Sequence, residues 1–300
     1  MKKFILALLV ILTIYGCGVA TKDTTAQTTS PENLLIITDK GISEGNVVSG
    51  WTRNIGQSAK TFQGIPQDAL KHRPELYLAT TIGLYVCTDN LTTFTKVLTA
   101  NVVNLAELSE RVLAATDQGC FISTANRQFE LITSANSYQK ITAFGQNIYA
   151  LNKYGIWVAT VNVYAWTYVS VNVTENIKDF AFYGGKLTIL AGDNVYIDGQ
   201  PIDLMGEKPE RIFTGVGPLL WVSGKGTLYK RGNVGGTLYD ISGSNAYDGR
   251  NVRNVRDDHR DIYVSAENGV WYSLNGGETW KVLRKQNGIL SNNAVKVLGR

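Results

Sequence analysis

The chain has 300 residues, 44% of them hydrophobic, with 29 basic and 25 acidic side chains and a formal net charge of +4. This is enough apolar content for one large core or two small ones, and single all-β domains often reach this length. So small a positive surplus excludes the strongly basic surface that holds nucleic acid or an anionic surface by charge alone.

The first 17 residues have the pattern of an export signal. Lys2 and Lys3 form a charged start, and Phe4 to Ile14 is an apolar run broken only by Thr13. The run is short for a membrane-spanning helix, which needs about 20 residues. With this leader removed, 27 basic residues face 25 acidic ones. The run ends in Ile14-Tyr15-Gly16-Cys17, which resembles the lipobox of bacterial lipoproteins, although Tyr15 stands where a small residue is usual. The resemblance implies acylation at Cys17, and Gly18 in place of Asp implies the outer membrane where the cell has one. The alternative is an ordinary signal peptide or an uncleaved anchor. Thr21 to Asn33 is rich in Thr and Ser without apolar periodicity, the composition of a solvated tether. The expected organisation is a signal over 1–17, a tether over 18–33 and a folded domain over 34–300.

From Leu34 onward a unit recurs: a short apolar strand, a turn that usually ends in Gly, then a second strand. Leu34–Ile37 precedes Gly41, Leu76–Ala79 precedes Gly83, Val112–Ala115 precedes Gly119, and Ile148–Leu151 precedes Gly155. The later copies are Leu187–Leu190 before Asn194, Leu219–Val222 before Gly226, and Ile262–Ser265 before Gly269. The first strands lie 32 to 43 residues apart, the spacing of one four-stranded propeller blade per repeat. Gly suits such a turn because it takes positive φ without a Cβ clash, and Asn also tolerates the left-handed region.

An apolar pair three residues apart precedes most hairpins: Val102/Leu105, Tyr138/Ile141, Ile177/Phe180, Val252/Val255, and more weakly Pro209/Ile212. It marks the innermost strand of each blade. Val295/Leu298 is a further pair with no hairpin after it, whereas the repeat at Leu34 has no clear inner strand before it. The two fragments together make one blade. The prediction is an all-β, seven-bladed β-propeller closed by pairing the C-terminal strand with the N-terminal blade, or six blades if the weak fifth and sixth repeats are misread. Cys87 and Cys120 fall at offsets of four and one from their turn glycines. Their opposite parity puts them on opposite faces of neighbouring blades, about 10 Å out of register at roughly 3.3 Å per residue. A disulfide needs Cα atoms within about 7 Å, so two free, buried thiols are expected.

Ser273-Leu-Asn275-Gly-Gly277-Glu-Thr279-Trp280 resembles the Asp-box of sialidase-like propellers, with Asn for Asp. Degenerate copies stand in phase with the repeat: Cys87, Asp89, Thr93 and Phe94 in the second unit, Ala159 and Trp166 in the fourth, Glu44, Asn46 and Trp51 in the first. Residues 287–295 resemble the connection of two-component-regulator propellers, and residues 269–280 resemble propellers akin to the photosystem II stability/assembly factor. These resemblances imply the fold, with the Asp-box as a structural element of the blade periphery: its short polar side chain ties its own hairpin and its Trp packs between strands.

Catalytic chemistry is thin. A sialidase resemblance would imply an arginine cluster, a Tyr nucleophile and an acid/base Asp, yet Arg53 is the only early arginine to open such a set. His72 and His259 lie in different repeats without ligand spacing, so no metal and no cofactor is expected. Asp257-Asp258-His259 has the character of a solvated turn. The most unusual feature is the run Arg250, Arg253, Arg256 and Arg260, interleaved with aspartates beside an inner strand. Guanidinium forks suit carboxylate or phosphate. With Arg211, Lys140 and Lys296 at matching inner-strand positions, these arginines are the candidate binding residues, while Asn104 and Asp179 complete a polar channel lining. The expectation is a non-enzymatic, lipid-anchored envelope lipoprotein, a binding or scaffold module with a protein, peptide or glycan partner and none with nucleic acid. The alternative is a sialidase-like hydrolase.

Overall fold

The structure is a computed structural model. It describes residues 33–58, 61–133, 136–204, 206, 208–214, 220–224, 226–232, 238–241, 247–258 and 261–299. The expected signal over 1–17, with Cys17, and the tether up to residue 32 lie outside the described residues, as do His259 and Arg260. Seven antiparallel four-stranded sheets follow one another, each a blade of a β-propeller, and the described residues contain no α-helix. Seven blades, not six, are present. In blade 3 the strands are Val102–Leu108, Arg111–Thr116, Gly119–Ser123 and Phe129–Leu131, running from the channel outward.

The first blade is made from both chain ends. Ala294–Gly299 pairs antiparallel with Leu34–Thr38, and Gly41–Asn46 and Gly50–Gly56 complete the sheet. The closing strand is shifted one residue from its sequence reading. The inward apolar pair is Ala294/Val297, not Val295/Leu298, because Ala294 faces Thr38 and Lys296 faces Ile37 with Val295 as an extra residue between them. The inner strand of blade 2, Pro66–His72, escapes the repeat pattern because Pro66 and Ala69 are poor markers of an apolar pair. Asp257 belongs to the inner strand Asn254–Asp258 and is buried, so the solvated-turn reading fails there.

Gly41 and Gly269 show why the second turn takes glycine. Both have positive φ, +146° and +140°, and a Cβ would lie 2.1 Å from the Ile55 carbonyl oxygen and 2.6 Å from that of Leu283. The outer strand presses directly on the turn. Asn194 does not adopt the left-handed conformation; Gly192, φ +55°, makes that turn. A threonine three residues earlier closes several turns. The Oγ1 of Thr38, Thr80 and Thr116 donates to the carbonyl of Gly41, Gly83 and Gly119, at 3.2, 2.9 and 2.8 Å.

There is no single central core. Seven apolar layers each straddle two blades, from Leu35, Ile37 and Leu78 between blades 1 and 2 to Leu34, Ile36 and Val270 between blades 7 and 1. Cys87 and Cys120 are free and buried. Cys87 packs between blades 1 and 2 and Cys120 between blades 3 and 4, so a complete layer separates them. They face away from each other, a stronger bar to bridging than the register offset.

Deletion of residues 294–300 should destabilise the domain by at least about 3 kcal/mol, since burying one Val contributes about 1.5–3 kcal/mol and both Val295 and Val297 are lost. Denaturant unfolding measures it; an unchanged midpoint would show that the ring does not depend on this strand.

Candidate functional site

The inner strands surround a polar cavity of about 930 Å³ at the end of the channel where those strands begin. Its wall is built by a repeated backbone irregularity. In blades 2 to 5 a β-bulge separates Pro66 from Asp68, Val102 from Asn104, Tyr138 from Lys140 and Ile177 from Asp179. Blade 1 has the same shift at Val295. In blades 6 and 7 the N–H groups of Glu210 and Arg253 donate to the carbonyls of Ser223 and Ser265, the residues that face Arg211 and Asn254. The same two-on-one geometry therefore runs round the ring. A bulge turns an extra residue and re-aims its neighbour, so each blade presents two adjacent side chains to the cavity.

The deeper positions, from blade 1 to blade 7, are Lys296, Asp68, Asn104, Lys140, Asp179, Arg211 and Asn254. The bulged ones above them are Val295, Gln67, Val103, Gln139, Lys178, Glu210 and Arg253. All line the cavity. Asp68 and Asn254 of the deeper ring, and Gln67, Val103, Gln139, Lys178 and Glu210 of the bulged one, are the members that the sequence reading missed. Asp68 follows Pro66 by two, as Asn104 follows Val102, and an alignment on that spacing would have found it.

The deeper ring is a directional network. Asp68 accepts from the Leu105 N–H of the next blade at 2.8 Å, Asn104 from the Ile141 N–H at 2.9 Å, and Asp179 from the Ile212 N–H at 3.2 Å. Lys140 cannot accept, and it donates forward to Asp179 at 2.6 Å. Lys296 donates to Asp68 at 2.8 Å, which carries the network across the closure. Asp68 also accepts from Asn104 Nδ2 at 3.0 Å and from its neighbour's N–H at Ala69, 2.8 Å. Each of the two buried carboxylates is thus occupied by a lysine and by backbone N–H groups.

The run of arginines is dispersed. Arg253 faces the cavity beside Arg211. Burial, then the like charge of Arg211, holds the Arg253 guanidinium below its usual range, with Asp39 and Glu267 partly offsetting this. Arg250 is exposed and donates to Asp248 through Nε and Nη2, both at 3.2 Å. Arg256 lies over the Tyr263 ring, with Asp258 at 3.8 Å. Lys140 and Lys296 line the cavity but are committed to aspartates. Arg211 and Arg253 are the candidate binding residues left, among the described residues, with open guanidiniums. Among the described residues no group of three or more metal-ligating side chains is gathered.

The Asp-box residues lie away from this cavity and bond within their own hairpin. Asn275 Oδ1 accepts from Ser273 Oγ at 2.8 Å and from the Thr279 N–H at 3.0 Å, and Ser273 Oγ accepts from the Gly277 N–H at 2.8 Å. Asp89 accepts from the Thr93 N–H at 2.8 Å, the main reason its carboxyl sits at about 2. Trp280 Nε1 donates to the Ile241 carbonyl of the preceding blade at 3.0 Å, and Trp166 does the same to Ile132 at 2.5 Å. Arg53 is a staple of the same kind: it donates to the carbonyls of Asn90 and Leu91 in blade 2, at 2.6 and 3.1 Å.

The fold and the cavity together define a closed seven-bladed propeller with a polar channel mouth. No protein-family model and no curated protein matches the sequence. Solved structures do. One is PorZ of Porphyromonas gingivalis, described as an essential bacterial surface component of the type-IX secretion system, with a TM-score of 0.67 at 14% identity; 84% of this chain is covered, and it spans 37% of PorZ. Another is the extracellular domain of the putative hybrid two-component system BT4673 of B. thetaiotaomicron, with a TM-score of 0.61 at 14% identity over 81% of this chain and 36% of that one. YCF48 of Cyanidioschyzon merolae matches with a TM-score of 0.56 at 13% identity over 88% of both chains. YCF48 bound to a D1 peptide matches at 0.53 and 14%, over 78% and 90%. At these identities the likeness is one of fold.

Replacing Asp68 by Ala strands the buried Leu105 N–H and leaves Lys296 to the water of the cavity, which should cost about 1–3 kcal/mol, the penalty of an unsatisfied buried donor, and less than the loss of a fully buried ion pair. Asp68→Asn keeps one acceptor and should cost clearly less. Urea unfolding of both variants checks this order; equal, small losses would mean that the ring network carries little stability.

Proposed function

We propose that this protein is a non-enzymatic, lipid-anchored propeller of the cell envelope whose channel mouth binds a protein or peptide partner. The observation that carries the reading is the state of Asp68 and Asp179. A glycosidase needs one carboxyl to donate a proton and another group free to attack or to activate water. Here both cavity aspartates are saturated by lysine and backbone donors, which leaves Glu210, among the described residues, as the one cavity carboxylate outside the network where two such roles are needed. Arg53, the candidate opener of a sialidase arginine set, is held at the rim by two backbone carbonyls. That geometry favours binding over the hydrolase alternative.

Anchoring rests on the lipobox-like Ile14–Cys17. An envelope setting agrees with PorZ, a bacterial surface component, and with the extracellular domain of BT4673. YCF48 bound to a D1 peptide offers a precedent for a peptide on this fold.

Cys17→Ser should move the protein from the membrane fraction to the soluble one. Retention of the variant in membranes at the wild-type level would remove the lipid from the reading. For the binding face, a photo-cross-linking residue at Gln139, which is exposed and lines the mouth, should trap a protein or peptide in the native cells. The same probe at Tyr168, exposed on an outer strand, should not. Cross-links at both positions or at neither would count against the mouth as the binding face. Release of the aryl group from an aryl sialoside or another aryl glycoside would shift the reading to the hydrolase.

A further inference from the structure

The deeper ring satisfies itself around most of its circumference. Blades 1 to 5 contribute Lys296, Asp68, Asn104, Lys140 and Asp179, each bonded to the next blade. The pattern stops at blade 6. Arg211 occupies the position where Asp68, Asn104 and Asp179 accept a neighbour's N–H, and a guanidinium has no lone pair to accept one. One blade on, at the bulged position, stands Arg253. Among the described residues neither guanidinium has a hydrogen-bond or ion-pair partner, and both line the cavity.

Both side chains are exposed on the cavity wall, where two like charges close enough to feel each other repel, and an anion between them removes that repulsion and fills the forks. Arg253 registers the repulsion: burial and then Arg211 lower its pKa, and Asp39 and Glu267 only partly offset this. The anion must also suit Glu210, which lines the same cavity. A dianion meets that negative charge directly. A single carboxylate with an N–H donor beside it matches the whole set: its oxygens to Arg211 and Arg253, its N–H to Glu210.

We propose that Arg211 and Arg253 form a clamp for a carboxylate flanked by an N–H group, the chemistry of a peptide's free C-terminus. The clamp rests on the channel mouth being the binding face and gives that face its specificity.

The test uses the full chain labelled with ¹⁵N and follows the arginine Nε–Hε resonances, with Arg211→Lys and Arg253→Lys identifying the two signals. The probes are acetyl-Ala-Ala as its free acid, the same dipeptide as its C-terminal amide, and inorganic phosphate, all at constant ionic strength. The free acid should shift both resonances saturably, and the amide should leave them in place. Phosphate should bind more weakly than the acid. Glu210→Gln should weaken the acid by at least about fivefold, the worth of one hydrogen bond, while phosphate binding holds or tightens. The double variant Arg211→Gln/Arg253→Gln, which lacks both reporter groups, should abolish the saturable response to the acid of the Ile212 and Asn254 backbone amide resonances that the wild type shows, and leave the unfolding temperature unchanged or raised, because a repulsion is removed; a lowered temperature would reassign the pair to a structural role. A non-saturating response to the acid, equal responses to acid and amide, or tighter binding of phosphate would each overturn the clamp. Cross-linking at Gln139 separates the two claims. If it persists while the clamp fails, the binding face stands without this specificity; if it fails as well, the face itself is wrong.

Discussion

The pairing of Ala294–Gly299 with Leu34–Thr38 converts six complete sheets and two fragments into a ring. Every other contact depends on that step, because no blade here owns a core. A four-stranded sheet has two faces, and in this molecule both faces of a blade are buried against neighbours through seven shared apolar layers. An open row would leave two bare faces and an unpaired inner edge at blade 1, where Leu34, Ile36 and Ile37 are fully buried. Closure removes all of these at once.

Closure also sets the chemistry of the channel. Antiparallel blades arranged about an axis bring seven inner strands together, and a bulge in each aims two side chains inward. A channel lined this way is wet, and polar residues there are expected on solvation grounds alone. What distinguishes this channel is the direction of its bonds. Side-chain acceptors in one blade hold the backbone of the next, so the ring is laced at the axis as well as packed between faces. The lacing explains why Asp68, Lys140, Asp179 and Lys296, chemically attractive as a list, are poor candidates for reaction.

The periphery repeats the logic with other residues. Trp280 and Trp166 reach back one blade to the carbonyls of Ile241 and Ile132, and Arg53 reaches forward to the hairpin that carries Asp89. Asp-box side chains hold their hairpins in shape, which places these large groups where they span the gap. Inner lacing, apolar layers and outer staples all join blade to blade.

Much of this was legible in the residues themselves. Strand alternation, the turn glycines and the repeat spacing depend on local sterics and on burial of one residue in two, so they leave a trace that any single repeat carries. The count of blades and the closure followed from the unmatched inner strand at the C-terminus. The missing inner strand of blade 2 and the one-residue shift at Val295 were hidden by one cause: a bulge adds a residue without altering composition, and Pro66 and Ala69 carry little apolar signal. Bond partners were beyond reach for a different reason. Arg250, Arg253 and Arg256 are alike in sequence and lie within seven residues. One turns to Asp248, one to the channel and one onto Tyr263, because strand pairing and bulge geometry decide where each side chain points. Sequence determined that this chain builds a ring of blades, since that follows from local periodicity. Only the tertiary structure decided which polar groups the ring consumes and which it leaves open, because that depends on residues 30 to 230 positions apart being brought to one axis.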